Sequence, residues 1–243
     1  MGDSPNLESE LNASFRGHRD WEEWSRKYVW KNANDIPEDA ERAGLRREKF
    51  NYRGISVRAG LRDLVASNVD QPFLEEIGEL GDLERLDLEW PLVAIDLTPL
   101  LGLKRLRHLA IDSPRKISDF RQLLKLPALT TLMLTAAKLM TDIEWLRDAH
   151  HLEVIGVEGG MWSPQKIPSL KPLAGLRSLR AFLGTSIQLA EKELMPLAEC
   201  PQLEFIGMAA AAPRSEFERL HAARPDIICT WFRPEPWQAI GRR

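Results

Sequence analysis

Leu83-Glu84-Arg85-Leu86-Asp87-Leu88 recurs as Leu106-Arg107-His108-Leu109-Ala110-Ile111, as Leu129-Thr130-Thr131-Leu132-Met133-Leu134 and as Leu152-Glu153-Val154-Ile155-Gly156-Val157. A weaker copy stands upstream at Leu61, Leu64 and Ala66. Degenerate copies follow at Leu179, Phe182, Gly184 and at Leu203, Ile206, Met208, with a last one through Ile228 and Thr230. From Leu61 onward the first positions are separated by 22, 23, 23, 23, 27 and 24 residues. One copy would mean nothing, but a register held this long is a repeat architecture. The second and third apolar positions alternate with polar ones, so they share one face of a short strand. A single unit cannot bury that face. The units must therefore stack and share a continuous core.

The second half of each unit supports this reading. Ile95-Asp96-Leu97, Ile117-Ser118-Asp119-Phe120 and Met140-Thr141-Asp142-Ile143 sit at matching offsets after their strands. Leucine-rich stretches such as Pro99-Leu100-Leu101-Gly102-Leu103 come next and suit one short helix or 3-10 turn. The preceding Asp is the expected cap for its free amides. Over residues 56 to 232 the pattern resembles the leucine-rich-repeat family, in its short intracellular or bacterial class. The resemblance implies an α/β solenoid: a right-handed horseshoe of about eight repeats with a parallel concave sheet and a helical N-terminal cap. One feature departs from the family. Its post-strand Asn or Cys is replaced by Pro91, Pro114, Ala137, Gly160, Ile187 and Ala211, so the asparagine ladder is missing.

The ends differ from the middle. Residues 1–58 read as a tail and an aromatic-rich cap, residues 59–232 as the repeats, and residues 233–243 as a C-terminal cap and tail, with 239–243 expected to fray. Trp21, Trp24 and Tyr28 fall on one helical stripe, and 35–44 is expected to form a second short helix with Pro37 near its start and Gly44 past its end. Terminal units are atypical because they must cover an open core. The segment Thr230–Trp237 is expected to close the other end.

Composition narrows the function. The chain is 44% hydrophobic and 28% charged, the balance of a globular protein rather than a disordered or membrane one. A net charge of -3 gives no basic stripe for nucleic acid, and no apolar run approaches a membrane span. The first residues, Met1 to Glu8, lack the basic and apolar regions of a leader, so a cytoplasmic location is expected. Two cysteines, Cys200 and Cys229, are too few for a disulfide framework and read as buried hydrophobes. Phosphate-loop, dinucleotide, zinc-protease and nucleophile-elbow motifs are all absent. The adjacent His150 and His151 point to opposite faces, and Glu22-Glu23 and Glu75-Glu76 read as solvated. No enzyme, metal or cofactor is expected.

The residues between the buried strand positions would line the concave sheet. In the N-terminal half they are acidic, with Asp63, Asp87, Glu89 and Asp112 beside Arg85 and His108. In the C-terminal half they are apolar, with Met133, Val154, Leu183, Phe205 and Trp231, joined by Glu158. The 27-residue step inserts a loop at a strand end carrying Trp162, a candidate hot spot. These residues suit a protein partner with a basic region and a hydrophobic anchor. The leading expectation is a non-catalytic binding module, in bacteria an immunity or regulatory protein; 23 Arg against 10 Lys fits a high-GC bacterial genome. A structural scaffold or self-assembling subunit is the alternative, and an enzyme with an unrecognised site the third. Nothing in the residues fixes the oligomeric state.

Overall fold

A computed structural model of the chain describes residues 5–240. Residues 1–4, which open the stretch read against a leader, and 241–243 of the expected frayed tail lie outside them. In chain order the elements are α1 (Pro5–Arg16), α2 (Trp21–Tyr28), β1 (Val29–Trp30), β2 (Arg42–Arg46), β3 (Asp63–Val69) and α3 (Gln71–Gly78). Next come β4 (Arg85–Leu92), β5 (His108–Asp112), β6 (Thr131–Thr135), β7 (Val154–Glu158), β8 (Gln165–Ile167), β9 (Ala181–Gly184) and β10 (Ile187–Leu189). Then follow β11 (Phe205–Met208), α4 (Arg214–Ala223) and α5 (Pro234–Ile240). Two compact units divide the chain: Arg19–Met140, and the described residues of 1–18 together with 141–243.

In the first unit, β1 to β6 pair in chain order and every pair is parallel. The register follows the sequence repeat: Leu64 lies beside Leu86, Leu86 beside Leu109, and Leu109 beside Leu132, all fully buried. Between strands run 3-10 turns, Thr98–Gly102 and Arg121–Lys125. The Asp side chains hold the first turn amides, from one position ahead of the N-cap residues Leu97 and Phe120. The Thr98 amide donates to Asp96 Oδ1 at 2.9 Å, and the Arg121 amide to Asp119 Oδ1 at 2.9 Å. The Thr98 hydroxyl also donates to Asp96, and these bonds hold the Asp96 carboxyl below its usual pKa.

The expected helix over 35–44 does not form. Instead, Ala33–Asp35 makes a 3-10 turn and Arg42–Arg46 is a strand beside β3. Ala43, Gly44 and Leu45 are all buried there, and a Cβ on Gly44 would lie 2.7 Å from the Trp24 ring. Tertiary packing overrides the helical spacing, and parallel strands begin at Val29, inside the stretch read as a cap. In place of an asparagine ladder, backbone bonds tie the coils. Val93 donates to the Val69 carbonyl at 2.8 Å and Arg115 to that of Leu92 at 2.9 Å. Asn68 and Arg47 exchange side-chain to backbone bonds, Asn68 Nδ2 to Arg47 O at 3.1 Å and Arg47 Nε to Asn68 O at 2.7 Å.

In the second unit β7, β9 and β11 pair in parallel, with Ile155, Phe182 and Ile206 buried in line. The caps persist: Glu144 N donates to Asp142 Oδ1 at 3.0 Å and Lys171 N to Ser169 Oγ at 3.1 Å. The long repeat step supplies β8, which pairs with β10 in a small parallel sheet. Its backbone passes so closely that a Cβ on Gly159 would meet the Ser186 carbonyl at 2.1 Å. The last expected strand shrinks to one parallel bridge, Phe205 with Ile228, before a 3-10 turn over Thr230–Phe232. Phe217 of α4 and Trp237 of α5 pack against Trp231, closing this end; Ala239 is helical rather than frayed.

Candidate partner-binding surface

The strand residues turned away from the core form an outward face in each unit. In the first unit β3 places Asp63, β4 places Arg85, Asp87 and Glu89, and β5 places His108 and Asp112, all half-buried. Period-two alternation puts them on one side. Arg85 donates to Asp87 at 3.1 Å and Ser67 to Glu89 at 3.1 Å. Burial raises the Glu89 pKa above the usual carboxylate value despite the Ser67 hydroxyl. Burial, reinforced by the Arg85 charge, pushes His108 down to about 4. At neutral pH its imidazole is therefore uncharged, and its 3.5 Å approach to Asp87 is not an ion pair.

One residue of this cluster was not anticipated. Arg19 reaches the strands and donates one guanidinium nitrogen to Asp63 and another to Asp87. Its guanidinium carbon also lies 5.2 Å from the Trp24 ring centroid. Two of the four carboxylates expected to meet a basic partner already hold a cation from their own chain. Met133, on β6, is buried rather than presented.

In the second unit the expected apolar anchors Val154, Leu183 and Phe205 are buried, and so is Glu158. Helix α1, which the sequence reading placed in an undifferentiated tail, lies over this face. Phe15 stacks on Phe205 with centroids 5.7 Å apart and planes 19° apart. Arg16 clamps Glu158 through two bonds of 2.6 Å and reaches the Thr185 hydroxyl at 3.0 Å. This is the bidentate fork that guanidinium and carboxylate favour. A cleft lined by Glu8, Asn12, Thr185 and Gly207 stays open beside the helix. The signal for α1 was present: Gly17 at φ 61 ends it, with His18 N bonded to Ala13 O and Gly17 N to Ser14 O. That is the glycine-terminated helix stop.

The remaining candidates separate. Trp231 belongs to the closing cap, its Nε1 donating to Met208 O at 2.7 Å. Trp162 is 92% exposed beside Met161 at 87%, on a tight loop where Gly160 N bonds Ser163 O. It does not fold back against Gly184. The thiols of Cys200 and Cys229 are buried, which pushes them up to about 11 and about 12. Among the described residues no three His, Cys, Asp or Glu side chains converge as metal ligands, and no helix is long and apolar enough to cross a membrane.

The fold has counterparts among solved structures. A leucine-rich-repeat protein of Leptospira interrogans matches 83% of this chain at 16% identity with a TM-score of 0.50. An internalin from Listeria monocytogenes matches 71% at 17% identity, with a TM-score of 0.49. The chain covers 63% and 61% of those two proteins, less than two thirds of either. No protein-family model matches the sequence, and no curated protein matches it. The fold is of the leucine-rich-repeat type.

Proposed function

We propose that the chain is a non-catalytic binding module that takes a protein partner on the outward face of its parallel strands. The observation that carries this reading is the row of carboxylates on that face. Asp63, Asp87 and Glu89 in one unit, and Glu158 in the other, sit on strands rather than loops and face away from the leucine core. Half-buried or buried charge is costly unless a cation meets it. Guanidinium groups of the chain itself meet three of these four. A partner with a basic region and an aromatic anchor suits such a surface, because charge orients the encounter and aromatics supply affinity. The exposed pair Met161 and Trp162 adds a second apolar contact point at a strand end.

A cytoplasmic regulator, or a bacterial immunity protein that masks a toxin, is the role this surface fits. The test is affinity capture from the native host with the wild-type chain and with Glu89→Lys and Glu158→Lys, followed by cross-link mapping. Cross-links on β3 to β5 or on β7 to β11, and loss of the partner with the reversed charges, support the reading. A partner held equally by all three chains, or mapped to the 3-10 turns, overturns it.

A further inference from the structure

We infer that α1 is a built-in occupant of the partner surface on its own unit, and that the partner competes for the place with an aromatic–arginine segment of the same chemistry. The inference rests on reading that surface as the binding face. It starts from an asymmetry in burial. The sheet residues under α1 are buried: Leu183, Phe205 and Glu158 are all closed off from solvent. No residue of α1 whose side chain is described is itself buried, and Leu7 remains 40% exposed. Helices α2, α3 and α4 behave differently, since they bury Trp24, Phe73 and Phe217 among others. A helix that covers the sheet with no described side chain of its own fully buried is held by a few specific contacts.

Those contacts describe what the site accepts. Phe205 offers an aromatic face, taken by Phe15. Glu158 is fixed from behind, its Oε1 accepting the Thr185 amide at 3.2 Å, so that its carboxylate stands ready for a planar guanidinium. Arg16 fills that position. The recognised element is thus a helical segment with an aromatic residue followed directly by arginine. Gly207 adds a steric condition: a Cβ there would stand 3.2 Å from Asn12 Oδ1, so the helix rides close over β11. The occupant belongs to the same chain and acts at an effective concentration on the order of millimolar. A free segment binds only the fraction of molecules whose α1 has left, which weakens its apparent affinity by that fraction.

The test uses full-length chains and a fluorescently labelled synthetic peptide of residues 7–18. Circular dichroism first verifies that Phe15→Ala/Arg16→Ala is folded, which is expected because neither side chain is fully buried. The double variant is expected to bind the peptide about tenfold or more tightly than wild type, because its own helix no longer competes. Adding Glu158→Gln to the double variant is expected to abolish the gain, and a peptide with Phe15 and Arg16 replaced by Ala is expected not to bind. Equal binding by wild type and the double variant, or no binding to either, overturns the inference. So does a wild-type dimer that the double variant loses, since the occupant is then a second copy. The partner-capture experiment is independent of these outcomes: Glu158→Lys can lose the partner while Phe15→Ala/Arg16→Ala captures no more of it than wild type. In that case the face stands and the built-in occupant falls.

Discussion

At the scale of single residues, the outward carboxylates show both the reach and the limit of pattern reading. Alternation alone places Asp63, Asp87 and Glu89 on one face, because neighbouring side chains of a strand point to opposite sides. It cannot say that Arg19, 68 positions before Asp87, folds back to pair with it. His108 stands against that cluster, with Asp87, Arg85 and Arg19 all acting on it. Its folded pKa of about 4 is depressed from the free value of 6.5. As pH falls below 6.5 the unfolded chain takes up a proton that the folded chain refuses. The stability from keeping His108 neutral is therefore complete above that pH and is lost on descent towards 4. The loss is about 3 kcal/mol at most. Urea midpoints of wild type and His108→Gln between pH 7 and 4.5 measure it: the variant is expected to decline less steeply, and parallel profiles would show that His108 does not titrate this way. The buried thiols allow a simpler check. With Cys200 near 11 and Cys229 near 12, almost no thiolate exists at pH 8, so a thiol reagent is expected to titrate neither cysteine until denaturant is added.

At the scale of elements, what the sequence specifies locally forms as read, and what depends on distant packing does not. Each hexapeptide places its apolar residues at fixed offsets, so seven of the eight expected strands form at their positions. The Asp-led turns were equally legible, since a carboxylate two residues ahead satisfies an amide whatever lies around it. The segment 35–44 departs from its helical spacing because a three-residue apolar core, Ala43-Gly44-Leu45, is too short to show a strand period. Helix α1 carried a local stop at Gly17, but no local rule says which surface it covers. Two kinds of substitution separate the forces within an element. Asp119→Ala and Asp142→Ala each remove a cap and are expected to cost about 1 kcal/mol. Leu132→Ala, which empties a core position shared with Leu109, is expected to cost ~2–5 kcal/mol. Denaturant melts of the three variants decide between these values. A Leu132 loss no larger than that of the caps would mean that the strand register is set by the turns instead of the core.

At the scale of the whole molecule, a repeat protein is built from elements that each contact their neighbours, so stability is distributed and local release is possible without general unfolding. The leucine core gives the strands a protection that α1 does not share. Within its unit, α1 is tied by Phe15 on Phe205, by Arg16 on Glu158 and by Glu8, which accepts from Arg233 at 2.7 Å. All three contacts involve side chains that water still reaches. Helix α4, of similar length, is anchored by two fully buried side chains and by Glu216, which accepts the Leu194 amide at 3.2 Å. Among the described residues, detaching α1 thus withdraws no fully buried side chain of its own from the unit, whereas detaching α4 withdraws two. Native-state hydrogen exchange is expected to show α1 amides exchanging about a hundredfold faster than those of α4, a gap of about 2.7 kcal/mol in opening free energy. Phe15→Ala/Arg16→Ala is expected to erase the protection left in α1 while leaving α4 unchanged. If α1 and α4 exchange together in wild type, the helix is part of the cooperative core, and a partner could reach the face beneath it only by unfolding the unit.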